Sequence, residues 1–341
     1  MSHSDPVAGL RVGMRAVVRR SIEHGVTDAL GEVEAIDTET ISVRTRQGLV
    51  VIPRAVVVAA KEVPPRSTRR GAPHLAISMD DLEGITAEGW QPIERAELGD
   101  WILRASAGFT GRANSVLPLG DPGLPLSAAV DHCERWYADR GLRPLFSLFG
   151  PVGFAVGDDP LGQELLGRGY DPCKRTAVLT AAIAALPPEQ PQASDARAVL
   201  ESEPSHRWWD AWATSHPWIS RADGVNAPPD AARTVLTGSP HQLFASLERD
   251  GAVIGVARVA FAQVWAGVTA LHVAPEHRRS GVAMQLMGAL ADAARAHGIR
   301  SMYLQVTQAN SPALGLYERL GFRVHHEYQY LGTTDSRRLT N

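Results

Sequence analysis

One segment limits what this chain can fold into more than any other: Leu271-His-Val-Ala-Pro-Glu-His-Arg-Arg-Ser-Gly-Val-Ala283, which runs directly into a helix. Its apolar start predicts a strand, and Pro275 ends it because proline has no N–H for a central ladder. Arg278-Arg279-Ser280-Gly281 then opens a helix whose apolar positions Val282, Leu286 and Leu290 recur at spacings of four. A strand–turn–helix of this kind aims unpaired backbone N–H groups at one point, where the positive end of the helix dipole also lies. It is an anion site suited to a pyrophosphate, and two arginines add fixed charge. The turn contains no G-x-x-x-x-G-K-[ST] and no run of three spaced glycines, which excludes the common nucleotide loops. What remains is R-x-x-G-x-A preceded by V-x-P, a short pattern that an ordinary arginine-bearing helix start can also show.

The chain downstream narrows the choice. Gly298 stops the helix after His297, and Ser301 to Val306 alternates as a strand. Asn310-Ser-Pro-Ala-Leu-Gly-Leu-Tyr-Glu-Arg-Leu-Gly-Phe322 then reads N-x-x-A-x-x-L-Y-x-x-x-G-F. Together the two segments resemble the GNAT superfamily of acyl-CoA N-acyltransferases, with Arg278, Gly281 and Ala283 at the defining turn positions and alanine as the one departure. The resemblance implies an α/β (α+β) GNAT fold with a mixed sheet, acetyl-CoA as co-substrate and no metal. It implies that Arg278, Arg279, Ser280, Gly281, Val282 and Ala283 hold the pyrophosphate. Backbone groups of Leu271, His272 and Val273 would meet the pantetheine amides and polarise the thioester carbonyl. Asn310, with Ala313 beside it, would bond the pantetheine arm or cap its helix.

Transfer to an amine needs a neutral nucleophile, and a lysine-like amine costs about 4–5 kcal/mol to deprotonate at pH 7. His272 and Glu248 are the candidate bases, with a solvent relay needing neither. By resemblance Tyr317 is the acid for the leaving thiolate; the same residue also fits as a packing partner of Leu314 and Leu320. For the acceptor, Trp208, Trp209, Trp212 and Trp218 fall in one helix-and-turn region. They read either as a face joining two halves of the molecule or as a pocket wall. In the second case Arg207, Arg221 or Arg258 would pair with an acceptor carboxylate.

Ahead of this unit, residues 7–63 read as short strands separated by turn signals, a small all-β barrel resembling an SH3-like module. Residues 64–75 are Pro-rich and basic, a linker. Residues 76–185 carry an α/β order that echoes the C-terminal half of a GNAT domain, with Gly169-Tyr170 where Gly321-Phe322 stands later. Its Leu119-Gly-Asp-Pro-Gly-Leu-Pro125 turn has an acid and two prolines in place of the phosphate pattern, so a degenerate GNAT-like unit is expected there. Helices are expected at 195–215 and 228–237 of the catalytic unit, which spans 195–333.

A net charge of −3 exerts no global pull toward nucleic acid or anionic membrane. Arg11, Arg15, Arg19, Arg20, Arg44 and Arg46 of the barrel are diluted by acids and lack interleaved aromatics, which argues against a nucleic-acid partner. No apolar run reaches membrane-span length, and Cys133 and Cys173 have no metal-ligand spacing; with no export signal, a cytoplasmic location is expected. The whole layout resembles bacterial proteins assigned as N-acetylglutamate synthases, with relatives described as acetylating protein lysines. The acceptor is therefore expected to be a small amino acid such as glutamate, or alternatively a protein lysine. A coenzyme A-binding sensor is the rival class, and a homodimer is left open.

Overall fold

A computed structural model describes residues 6, 7, 10–12, 14–22, 25–45, 48–62, 73–188, 196, 198–214 and 229–333. The N-terminal part is a five-stranded antiparallel sheet of β1 (Arg15–Ile22), β2 (Gly25–Ile36), β3 (Thr40–Thr45), β4 (Gly48–Pro53) and β5 (Val57–Glu62), in the order β4-β3-β2-β1-β5. Alternate apolar residues close its interior: Ala16 and Val18 on β1, Ile41 and Val43 on β3. Most of the expected linker lies outside the described residues, and its end is already the helical turn α1 (Pro73–Ala76).

The first α/β segment follows as α2 (Met79–Gly89), β6 (Glu94–Leu98), β7 (Trp101–Ala105), β8 (Val116–Leu117), α3 (Leu126–Ala138), β9 (Leu145–Gly150), α4 (Pro160–Gly167) and β10 (Asp171–Ala182). The second contains β11 (Ala198–Glu201), α5 (His206–Ala213), α6 (Pro229–Thr237), β12 (Gln242–Arg249), β13 (Ala252–Ala262), β14 (Trp265–Val273), α7 (Val282–Ala296), β15 (Ser301–Thr307), α8 (Ser311–Arg319) and β16 (Arg323–Gly332). The helix expected over 195–215 is corrected by β11: Ala198–Glu201 alternates half-buried and exposed residues and pairs antiparallel with β12.

Both segments build one eleven-stranded sheet, β11-β12-β13-β14-β15-β10-β16-β9-β8-β7-β6. The sequence predicts two separate units, at 76–185 and 195–333, but β10 of the first lies between β15 and β16 of the second. In return β16 pairs with β9. The reason is burial: Thr176 to Ala181 is buried without interruption, as a strand covered on both faces must be. On one face α7 and α8 cover β12 to β15 over a core of Val259, Leu286, Leu290, Leu304 and their neighbours. Against the other face pack α2, through Leu82 and Ile85 onto Tyr303 and Tyr328, and a second cluster of Trp90, Phe109, Trp208 and Trp212.

Candidate active site

The site begins where the sheet fails. Strands β14 and β15 run parallel and pair from Trp265 opposite Ser301 to Val268 opposite Leu304, and no further. Against β13, Val256 faces His272 and Arg258 faces Thr269, so Ala270 and Leu271 share the single residue Ala257. This is a β-bulge, with Ala270 at a φ of 56°. The bulge bends the end of β14 away from β15, and a cavity of about 1000 Å³ occupies the gap between Thr269–Val273 and Gln305–Thr307. Backbone groups along this opened edge face the cavity where a neighbouring strand would otherwise lie.

At the cavity's outer end is the turn. Pro275–His277 forms a single 3₁₀ turn, Arg279 has a φ of 61° and Gly281 one of 86°. Gly281 is the N-cap of α7 and gives no side-chain cap, and the first helical bond runs from Gln285 N to Gly281 O at 3.0 Å. The N–H groups of Val282, Ala283 and Met284 are therefore left without an intrahelical or capping partner, and all three residues line the cavity. The turn is internally braced: the Ser280 hydroxyl donates to His277 O at 2.6 Å, and Arg278 Nε donates to Val273 O at 3.3 Å. Gly255 of β13 lets the helix approach, since a Cβ there would meet Val282 Cγ1 at 2.7 Å. Alternating αL residues, orphan donors and the dipole of a fifteen-residue helix make a cradle of the kind that suits an anion such as a pyrophosphate. None of the described lining residues is Asp or Glu.

Asn310 caps α8, its Oδ1 accepting from Ala313 N at 3.2 Å, and both residues reach the cavity. One turn later Tyr317 lines the same cavity at 8% exposure, its ring edge-on to Phe322. Its hydroxyl has no hydrogen-bond partner among the described residues, and burial pushes its pKa up to about 12. The group is thus a neutral O–H donor at neutral pH. Leu271 packs toward the α7 and α8 core, so His272 points to the opposite face, where its Nε2 lies 3.3 Å from Thr214 Oγ1 at the end of α5.

The other sequence candidates are placed away from the lining. Glu248 is held in an ion pair with Arg207 at 2.9 Å, and Arg207 also donates to Gly251 O; each neutralises the other at the β12–β13 hairpin. Neither is positioned as base or acceptor ligand. Trp208 and Trp212 are buried and stacked at 6.1 Å, Trp208 Nε1 donates to Ala245 O and Ala257 O, and Trp212 meets Phe109 of the first segment edge-on, so they pack the two segments together. Arg258 is fully buried and donates to Gln242 Oε1, Gly89 O, Thr269 Oγ1 and Ser239 Oγ. Burial pushes its pKa down to about 9, which leaves it charged at neutral pH. It braces the bulge from beneath, through Thr269. Trp218 and Arg221 lie outside the described residues. Two lining residues carried no signal in the sequence: Gln305, whose Nε2 is buried without a partner, and Arg112, which comes from the first segment.

Splayed parallel strands, an uncapped helix start beside the gap and a neutral tyrosine on the same cavity define a GNAT-type N-acetyltransferase. Residues 78–331 match the family described as "Probable histone acetyltransferase Rv0428c C-terminal", and the chain belongs to that family. It is 29% identical over 335 residues to the Mycobacterium tuberculosis protein named probable histone acetyltransferase Rv0428c, covering 94% of this chain and 95% of that one. It is 27% identical to the uncharacterized N-acetyltransferase YobR of Bacillus subtilis, covering 74% and 98% of the two chains. A tandem GNAT protein from the clavulanic acid biosynthesis pathway shares the fold at a TM-score of 0.51 and 14% identity, over 77% of this chain and 89% of that one. GNAT-fold acetyltransferases use acetyl-CoA. Among the described residues, no helix is long and apolar enough to cross a membrane.

Proposed function

We propose that this chain moves the acetyl group of acetyl-CoA directly to the primary amine of a small amino acid, with glutamate the first choice. The observation that supports this reading is that the phosphate cradle, the opened edge of β14 and the Tyr317 hydroxyl share one cavity. Bound acetyl-CoA supplies the reactive thioester. Arg278, Arg279 and the N–H groups of Val282 to Met284 hold its pyrophosphate, and the Leu271–Val273 edge orients the arm and polarises the carbonyl. Tyr317 holds a proton at Oη for the leaving sulfur. His272, on the acceptor face, takes the amine's proton directly or through water. Within the same reading the first α/β segment is a degenerate GNAT-like unit, and the five-stranded N-terminal sheet is an SH3-like module.

A protein lysine is the second reading, favoured by the name of the Mycobacterium tuberculosis relative. The test is thiol release from acetyl-CoA in the presence of amino acids, polyamines and lysine peptides. Turnover with lysine peptides alone would replace the first reading by the second.

A further inference from the structure

The first α/β segment holds no second copy of the phosphate cradle, yet it sends one side chain to the cavity of the second. Arg112 is half-buried and lines the cavity on the face opposite α7 and α8. Its guanidinium Cζ lies 4.7 Å from the centroid of Trp90, and Arg258 Cζ lies 5.4 Å from the same ring. Because Arg258 donates to Thr269, this stack fixes Arg112 near the point where β14 and β15 part, remote from the Arg278–Gly281 turn.

The loop carrying Arg112 is built to hold still. Ala107 and Thr110 have φ values of 48° and 57°. Asn114, 1% exposed, offsets that strain with all four of its bonds: its Oδ1 accepts from Ser106 N and Gly108 N, and its Nδ2 donates to Phe109 O and Thr110 O. Phe109 is fully buried between Trp90 and Trp212. The tryptophan cluster therefore anchors the arginine's loop rather than walling the pocket itself.

No carboxylate lies within ion-pair distance of Arg112 among the described residues, and the described lining contains none. A half-buried guanidinium without an acid is an open fork for a planar anion. A cationic lysine segment would meet repulsion at this end of the cavity and no carboxylate to offset it. We infer that Arg112 is the specificity-determining group for the acceptor, binding the carboxylate of an amine that carries one. The inference rests on the small-amino-acid reading above and names the chemistry that recognises it.

The test uses the full chain, with thiol release measured for amino acids, their carboxamides, a larger carboxylate-bearing amine, putrescine and a lysine peptide. Acids should exceed the matching carboxamides at least about 10-fold in kcat/KM, and Arg112→Gln should raise KM for the acids about 30-fold. The same variant should leave carboxamide turnover and the calorimetric Kd for acetyl-CoA unchanged, with Arg112→Lys between the two. Carboxamides or lysine peptides outperforming or matching every carboxylate-bearing amine, an equal loss on acids and carboxamides, or no carboxylate-bearing amine of any size turned over while acetyl-CoA still binds would each overturn it. The larger carboxylate-bearing amine alone being turned over, with the same Arg112 dependence, supports the role of Arg112 and retires the small-amino-acid reading.

Discussion

The large sheet contains two parallel strand pairs, β8–β9 and β14–β15, each joined through one turn and one helix. Each is followed by a short helix that ends on a left-handed glycine, Gly169 at 82° and Gly321 at 91°. Even the closing bonds correspond: Tyr170 N donates to Leu165 O at 3.0 Å, and Phe322 N donates to Tyr317 O at 2.9 Å. The contents of the two frames differ. In the first, Asp100 accepts from Asp121 N, Asp121 accepts from Gly123 N, and Thr27 of β2 donates its hydroxyl to Asp121. Pro125 precedes α3 and lies against Gly25, so the N-terminal sheet sits on the very turn that would face a phosphate. Buried Leu165 stands where the second frame has Tyr317. An equal topology thus leaves an uncapped helix start beside a cavity in one place and a seat for the N-terminal sheet in the other.

The strongest way to break this contrast is Gly281→Val. A β-branched residue in the left-handed region costs roughly 1–2 kcal/mol and misaims the donors that the turn presents, so acetyl-CoA affinity should fall about 100-fold. Calorimetry should give one site per chain in the native protein and no residual site in the variant. A surviving full-affinity site would place binding in the first frame.

Tyr317→Phe tests the second difference. It keeps the packing against Phe322 and removes only the hydroxyl, so kcat should fall about 30- to 100-fold with KM within about twofold. The pH signature is specific. Burial raises the folded pKa to about 12, above the unfolded value of about 10. The stability gained by burying the neutral phenol is complete below the unfolded pKa and is lost as pH rises toward the folded one. Melting followed across that alkaline window should decline less steeply in the phenylalanine variant. An identical decline would mean that the hydroxyl is not desolvated.

How much of this was legible in the sequence follows from what each signal depends on. The turn and α8 were readable because R-x-x-G-x-A and N-x-x-A-x-x-L-Y act through local backbone geometry, and a linear pattern records that. The exchange of β10 and β16 was not. Asp171 to Arg175 is polar enough to read as loop, and only the neighbouring strands make it part of a ladder. Arg258 looked like an acceptor ligand because a strand's alternation does not reveal that both faces are covered; here its partners are neutral groups beneath the bulge. Glu248 looked free, but the start of α5 lies on the β12–β13 hairpin and brings Arg207 to it. Arg112, more than 150 residues before the turn, has no spacing relation to any motif and reaches the cavity only through the packing of two segments.

Asp121→Ala addresses the first frame by itself. Removing the carboxylate strands the Thr27 hydroxyl and Gly123 N–H, which should lower stability by about 1–2 kcal/mol, or a few degrees in melting temperature for a chain of this size. The kcat/KM for acetyl-CoA should not change, since no atom of that turn lines the active cavity. A fall in kcat/KM without a fall in melting temperature would mean that the first turn still serves catalysis.

The smallest effect belongs to Ser280→Ala, and it separates shape from charge within the working turn. The Ser280 hydroxyl is exposed and makes one bond, to His277 O. Its loss should cost about 0.5 kcal/mol and leave global melting unaltered, because water can replace the donor. Ser280 also lies between the two left-handed residues Arg279 and Gly281, so the bond limits how far the cradle can open when empty. The cost should therefore appear as a roughly twofold weaker Kd for acetyl-CoA, in the dissociation rate, with kcat unchanged. Arg278→Ala, which removes a charge, should by contrast weaken binding more at low than at high ionic strength. If both variants show the same salt dependence, the turn holds its ligand by charge alone, and the backbone contrast between the two frames loses its explanatory weight.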